Sequence, residues 1–274
     1  MNKVFILLIM CLLLATPCYA VNWCVDANIV ACYTIETGSG TTWVDQSSNS
    51  NDGTFKGAGE PLWSATVPTS VTDGFEGTST WSVDYDDDSN DSITASDSAS
   101  LDIDGEGFSF VVWIRPNFTQ ATDESFHIFD KTNNNASGYR MFFVNAVDDW
   151  RFRLFTSAGA VNVDTEGLSW SADTWYHVAV TYDGANMKIY WDGGLENSSG
   201  QTGNITTNDS VLYIGIQDDA SDSFEGNMDE YAIFDTGLDL TDINDIMDNG
   251  LIGGLTYAPT IQFKGLTMKG VDIK

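Results

Sequence analysis

Basic side chains are scarce. Lys and Arg together number 11 against 40 Asp and Glu. A chain this acidic is repelled by phosphate, so nucleic acid is excluded as a partner. Histidine is rarer still: His127 and His177 are the only two, so any imidazole at a working site is one of these. Cysteine is limited to four residues, and Cys11 and Cys18 fall within the first twenty positions. The remaining pair, Cys24 and Cys32, has no neighbouring His and does not form a zinc site. In an oxidising compartment it forms a disulfide, worth roughly 2–3 kcal/mol for so short a loop. Glutamate is also sparse, because 31 of the 40 acids are Asp. Asp favours turns and is a short-armed oxygen ligand for calcium, whereas Glu favours helices.

Long apolar runs are confined to the N-terminus. Met1-Asn2-Lys3 precedes an apolar run over 4–15, and Cys18-Tyr19-Ala20 ends in a small residue. The run is short for a membrane span and has the flanks of a processing site. Residues 1–20 therefore read as a secretory signal cleaved after Ala20; Thr16-Pro17 is a poor context for lipidation of Cys18. No later segment approaches the ~20 apolar residues needed to cross a bilayer. The expected product is soluble and secreted. Without Lys3 it carries 10 basic against 40 acidic residues, a net charge of −30. Such charge serves solubility, and the Asp-rich loops are also candidates for holding Ca²⁺.

What is abundant is strand-forming sequence. Short runs rich in Val, Ile, Phe, Tyr, Trp and Thr are separated by Gly, Asp, Asn and Ser. The pattern predicts strands over 30–35, 79–84, 108–115, 126–130, 139–145, 150–156, 175–182, 187–191, 211–216 and 227–234. Asp52-Gly53, Asp73-Gly74, Asp183-Gly184 and Asp192-Gly193 mark turns. One short helix is expected, with Thr241 as N-cap, Gly250 after its end, and Ile243, Ile246 and Met247 on its packed face. The fold class is all-β, a two-sheet antiparallel jelly-roll sandwich with one short C-terminal helix. The main domain is expected over 21–252. Residues 253–274 form an extension in which Lys264-Gly-Leu-Thr-Met is nearly repeated as Lys269-Gly-Val-Asp-Ile. Its alternation suits a strand, and 256–274 could engage a protein partner.

The stretch TWYHVAVTYDGANMKIYWDG, from Thr174 to Gly193, has Trp175, His177, Ala179 and Thr181 on one face and Tyr176, Val178, Val180 and Tyr182 on the other. Neither face is polar, which marks a strand buried on both sides. The stretch resembles the central hairpin of laminin G-like domains, within the concanavalin A-like lectin/glucanase superfamily. A second resemblance is LYIGIQDDASDSFEGNMDEYAIFDTGLDLTDINDIMDNG, from Leu212 to Gly250, similar to that family's closing Y-I-G, F-x-G-x-I-D-E and helix. DQSSNSNDGTF from Asp45 resembles its N-terminal D-x-S-x-N-x-N-x-G turn. WSVDYDDDSNDSITA resembles its F-D-G-x-D-D-Y segment, with Tyr85 where the family has Gly. The resemblance spans Cys24 to Gly250 and implies the concanavalin A-like fold. His177 and His127 are then strand residues with packing roles.

The same superfamily includes β-glucanases, which place two carboxylates on one strand face, two residues apart. The nearest pattern here is FEGNMDEYAIFD. Glu225 and Asp229 are four apart, and strict alternation sends Glu230 to the opposite face. Asp229-Glu230 therefore reads as the family's structural I-D-E pair. Resemblance to pentraxins, distant relatives of this fold, implies a calcium site instead. It would be built from Gln217, Asp218, Asp219 and Asp222 together with Asn134 and Asn135 of the Asn133–Asn135 loop. The Asn loop lacks the family's Asp, and Asp218 would offer its carbonyl. A second loop carries Asp84, Asp86, Asp88 and Asn90 at a spacing of two, but Ser89 and Ala95 replace the Gly and Glu of an EF-hand. Trp43, Trp63 and Trp81 lie near loops, where indoles can stack on sugars or fill core. These features lead to a secreted, non-catalytic recognition domain for carbohydrate or a glycosylated surface, assisted by Ca²⁺. The alternatives are a surface protein assembling through its C-terminal tail and a β-glucan-active glycoside hydrolase.

Overall fold

The computed structural model describes residues 21–34, 38–57, 61–69, 79–85, 91–120, 122, 124–134, 136–217 and 222–252. The expected signal over 1–20, the extension over 253–274, Asp86 to Asn90, Asn135, Asp218 and Asp219 lie outside these residues. Within them the chain forms two antiparallel sheets and one α-helix, as the strand pattern predicts.

In chain order the strands are β1 (Ile29–Tyr33), β2 (Thr42–Trp43), β3 (Gly53–Lys56), β4 (Leu62–Ser64), β5 (Ser82–Tyr85), β6 (Ser92–Ala95), β7 (Phe108–Pro116) and β8 (Phe126–Thr132). They continue with β9 (Gly138–Val144), β10 (Asp149–Thr156), β11 (Gly159–Asp164), β12 (Tyr176–Tyr182), β13 (Asn186–Trp191), β14 (Gly194–Gly200), β15 (Leu212–Ile214) and β16 (Gly226–Phe234). One sheet runs β14-β13-β12-β7-β16-β5-β4, with β1 also paired to β16. The other runs β11-β10-β9-β8-β15-β6-β3-β2. Non-sequential neighbours such as β7 and β16 are the long connections of a jelly roll.

The main core lies between the sheets and is dominated by aromatic rings, among them Phe108, Phe110, Phe129, Tyr139, Phe152 and Tyr231. Phe110 and Phe129, from opposite sheets, have ring centroids 4.3 Å apart. A second cluster covers the outer face of the first sheet. There Val111, Ala179, Ala232 and Phe234 pack beneath Trp23, Ile243, Ile246 and Leu251. This double covering explains why β7, FSFVVWIRP, is apolar almost throughout. The covering helix α1 spans Leu240–Asn249. Its N-cap is Asp239, two residues before the expected Thr241. Asp239 Oδ1 accepts from the N–H groups of Thr241 (2.7 Å) and Asp242 (3.0 Å). Asp242 returns a bond to the Asp239 N–H, completing a capping box.

Of the expected turns, Asp183-Gly184 and Asp192-Gly193 join neighbouring strands, Gly53 instead opens β3, and Asp73-Gly74 lies outside the described residues. Asp192-Gly193 joins β13 to β14 with φ of 45° and 72°, the double positive φ of a type I′ turn. A Cβ on Gly193 would lie 2.4 Å from Asn244 Oδ1 of α1, so glycine also lets the helix close onto the hairpin. Cys24 and Cys32 are disulfide-bonded, tying the N-terminal segment to β1.

Candidate functional site: an acidic cleft at the sandwich rim

The turn beginning at Asp45 builds one wall of a cleft. Asp45 is buried, and its Oδ1 accepts from the N–H groups of Cys32 and Ser47, both at 2.9 Å. Its Oδ2 accepts from Ser47 Oγ at 2.7 Å and from the Asn51 N–H at 2.8 Å. Asn49 Nδ2 donates to the Ile29 and Val30 carbonyls, and Asn51 Nδ2 donates to Val30 O at 2.8 Å. Ser98 Oγ donates to Asn51 Oδ1 at 2.6 Å. The D-x-S-x-N-x-N pattern is thus a clasp between β1, its own turn and the loop after β6. Each side chain satisfies backbone groups that no strand pairs with.

The opposite wall is the segment from Ala99 to Gly105. Leu101 and Ile103 are buried, which turns the alternate Asp102 and Asp104 outward. Asp235, just past β16, completes the rim. The resulting open cleft has a volume of about 300 Å³ and is lined by Asn49, Ser100, Asp102, Asp104 and Asp235 over a floor that includes Ile29. Asp104 and Asp235 are exposed, and among the described residues neither carboxylate is engaged by another side chain. Partial loss of water raises the proton affinity of Asp235, and the charge of Asp26 adds to this. Sequence reading passes over this cleft, although the alternation L-D-I-D from Leu101 is a signal for two outward carboxylates.

Behind the cleft, Lys131 is almost fully buried. Its Nζ donates to Asp97 Oδ1 at 2.9 Å, Asp102 Oδ1 at 3.1 Å and Asn208 O at 2.9 Å. Asp97, Asp102 and Asp209 have carboxylate oxygens within 4.8 Å of one another, a grouping that could hold a metal ion. Here an internal ammonium already neutralises two of its members.

Of the expected calcium ligands, Asn134, Gln217 and Asp222 are described, and Asn134 stands apart from the other two. Asp222 O accepts from the His127 N–H at 3.1 Å, which places it at the start of β8. Asn134 follows Thr132 at the other end of that strand, where its Nδ2 donates to Asn133 Oδ1. At ~3.3 Å per residue these ends are about 20 Å apart, whereas one Ca²⁺ draws its oxygens to 2.3–2.6 Å. Gln217, just beyond β15, belongs with Asp222. β15 runs antiparallel to β8, so Gln217 lies toward the Asp222 end and Asn134 at the other; Asn135, Asp218 and Asp219 lie outside the described residues.

The indoles divide. Trp43 is core, 1% exposed and packed on Tyr33 and Tyr231. Trp63 and Trp81 are half-buried at the sheet edge. Trp63 Nε1 donates to Gly40 O at 2.7 Å. The backbone of Gly38 lies against the Trp81 ring so closely that a Cβ there would stand 2.2 Å from it.

His177 is 1% exposed, its ring edge-on to Trp113 at 5.4 Å between centroids. Neither ring nitrogen has a hydrogen-bond partner among the described residues, and burial lowers its pKa to about 3. It is a neutral packing residue, as is expected for an imidazole in this strand. His127 is equally buried and stacks on Phe142 at 4.8 Å. Asp229 and Glu230 differ from strict alternation. The pairing of β16 with β7 shifts between Asp229 and Ala232, and Glu230 adopts φ of 49°. This β-bulge keeps Met228 and Tyr231 in the main core and turns both acids outward. Asp229 Oδ2 accepts from Ser79 Oγ at 2.6 Å, while Glu230 Oε2 accepts from the Leu251 N–H at 2.6 Å. Both are buried, and Glu230 anchors the end of α1.

A sequence profile of the concanavalin A-like lectin/glucanases superfamily matches residues 87–244. No curated protein matches the sequence. Among solved structures, the binding domain of Paraclostridial mosquitocidal protein 1 is similar at a TM-score of 0.59 and 15% identity, over 80% of this chain and 52% of that one. Domain 4 of AbnA, a GH43 extracellular arabinanase from Geobacillus stearothermophilus, solved with arabinotriose, is similar at 0.57 and 15% identity, over 80% and 98%. Botulinum neurotoxin type C, a toxin whose passage into cells depends on interaction with two ganglioside molecules, is similar at 0.57 and 17% identity, over 81% and 51%. The chain spans about half the length of the two toxin chains it matches.

Proposed function

The chain belongs to the concanavalin A-like lectin/glucanase superfamily, and from that premise we propose that it is a non-catalytic domain that binds carbohydrate or a glycosylated surface. The observation that carries this reading is the open polar cleft. Exposed carboxylates, an amide and a hydroxyl suit a ligand whose rim is hydroxyl groups. A solved structure with the same fold, described with the neutral sugar arabinotriose, supports this class of ligand. The absence of catalysis is favoured by the engagement of Asp229 and Glu230 in structural bonds. Secretion after cleavage at Ala20 belongs to the same reading, as does Ca²⁺ at the Gln217–Asp222 loop alone. Among the described residues, no helix is long and apolar enough to cross a membrane.

The test is a glycan array probed with the full chain lacking residues 1–20 and with its Asp104→Ala/Asp235→Ala variant. Retention of a defined glycan by the first, and its loss in the variant, is the expected result. No retained glycan, or equal retention by both proteins, refutes the reading.

A further inference from the structure

Three acids stand on the lining of the cleft, facing the uncharged Asn49 wall. Asp102 and Asp104 come from the loop before β7, Asp235 follows β16, and Asp26 lies close enough to Asp235 to disfavour its charge. Among the described residues, no Lys or Arg lines the cleft. Lys131 is buried behind it and is already shared by Asp97 and Asp102. Neither Asp104 nor Asp235 has a neutralising partner among the described residues. A ligand entering here meets uncompensated negative charge within a few ångströms, on a chain whose formal net charge is −29.

Resting on the carbohydrate reading above, we propose that the cleft sorts glycans by charge: it admits neutral and amine-bearing sugars and rejects sialylated, sulfated or uronate-bearing ones. The physical basis is local. A ligand carboxylate brought near Asp104 and Asp235 must lose water while facing like charges, and no guanidinium or ammonium at the rim offsets the cost. A protonated amino group gains at the same positions. A neutral sugar uses the carboxylates only as acceptors for its hydroxyls, two per carboxylate, without an electrostatic penalty.

The experiment compares, for each glycan retained on the array, the sialylated or uronate form, the neutral parent and an amine-bearing analogue, by calorimetry at low and high salt. The expected order is amine-bearing, then neutral, then anionic, with at least about ten-fold between neutral and anionic forms at low salt. The amine advantage shrinks as salt rises. In the Asp104→Asn/Asp235→Asn variant the preference narrows by about two- to five-fold per carboxylate. An anionic glycan bound as tightly as its neutral parent overturns the proposal while leaving carbohydrate binding intact. An unchanged preference in the double variant also overturns it, because selection would then come from the net charge of the whole chain. No binding to any glycan sinks the function proposed above and this proposal with it.

Discussion

Replacing His177 by Phe is expected to make the protein less sensitive to acid. The native imidazole is buried against Trp113, its nitrogens have no hydrogen-bond partner among the described residues, and burial lowers its pKa to about 3. In the unfolded chain the same group has its ordinary value of about 6.5. Between these values the unfolded state binds a proton that the folded state refuses, so stability is complete above pH 6.5 and falls as pH drops toward 3. Each pH unit in that window costs about 1.4 kcal/mol. Between pH 6.5 and 4.5 the loss attributable to His177 is roughly 2–3 kcal/mol. His177→Phe removes this term and retains an aromatic ring against Trp113. Urea unfolding at pH 7.5, 6.5, 5.5 and 4.5 measures it. The many carboxylates titrate alike in both proteins and cancel in the difference. The two stability curves should converge or cross as pH falls, whatever packing cost the Phe carries at pH 7.5. Parallel curves would show that His177 keeps its proton when folded, and the account of its burial would fail.

Lys131→Met leaves Asp97 and Asp102 facing each other without their ammonium. Because both carboxylates are partly wet, the expected loss is about 2–4 kcal/mol, below that of a fully buried pair. Millimolar Ca²⁺ should restore part of the variant's Tm through the three clustered carboxylates, which thermal unfolding with and without chelator would show. Glu230→Gln weakens the bond to the Leu251 N–H and Glu230→Ala deletes it, so stability should drop by about 1–3 kcal/mol in the Ala variant, and by less in Gln. Amide exchange at Leu251 would report the local loosening, and unchanged protection there would contradict the anchoring role. In the native chain, Ca²⁺ at the Gln217–Asp222 loop should raise Tm with concentration and lose that effect in Asp222→Ala. An unchanged Tm at millimolar Ca²⁺ would remove calcium from the function.

The strong strands are legible in the sequence because two covered faces demand apolar residues at nearly every position. FSFVVWIRP and YHVAVTY are such cases, and the structure places them side by side. Polar edge strands are not legible. GLENSSG of β14 has no side-chain pattern that separates it from a loop; it becomes a strand by pairing with β13. The sequence offers both Asp239 and Thr241 as capping residues, and only the extended backbone at Asp239 makes it the N-cap. The bulge at Glu230 was hidden for a similar reason: one extra residue reverses the expected face without changing composition.

The sequence by itself determined the fold class, the family resemblance, the acidic character and the packing role of His177. Each follows from local composition and periodicity, which record what a residue's immediate surroundings require. Only the tertiary structure decided that Asp45, Asn49 and Asn51 form a clasp, that Lys131 takes the place of a cation among acids, and that Asn134 and Asp222 stand a strand length apart. It also assembled the cleft from Asn49, Asp102, Asp104 and Asp235, which lie on three separate connections. Convergence of that kind depends on strand order and register. Those are set by long-range pairings such as β16 with β7, and no local pattern encodes them.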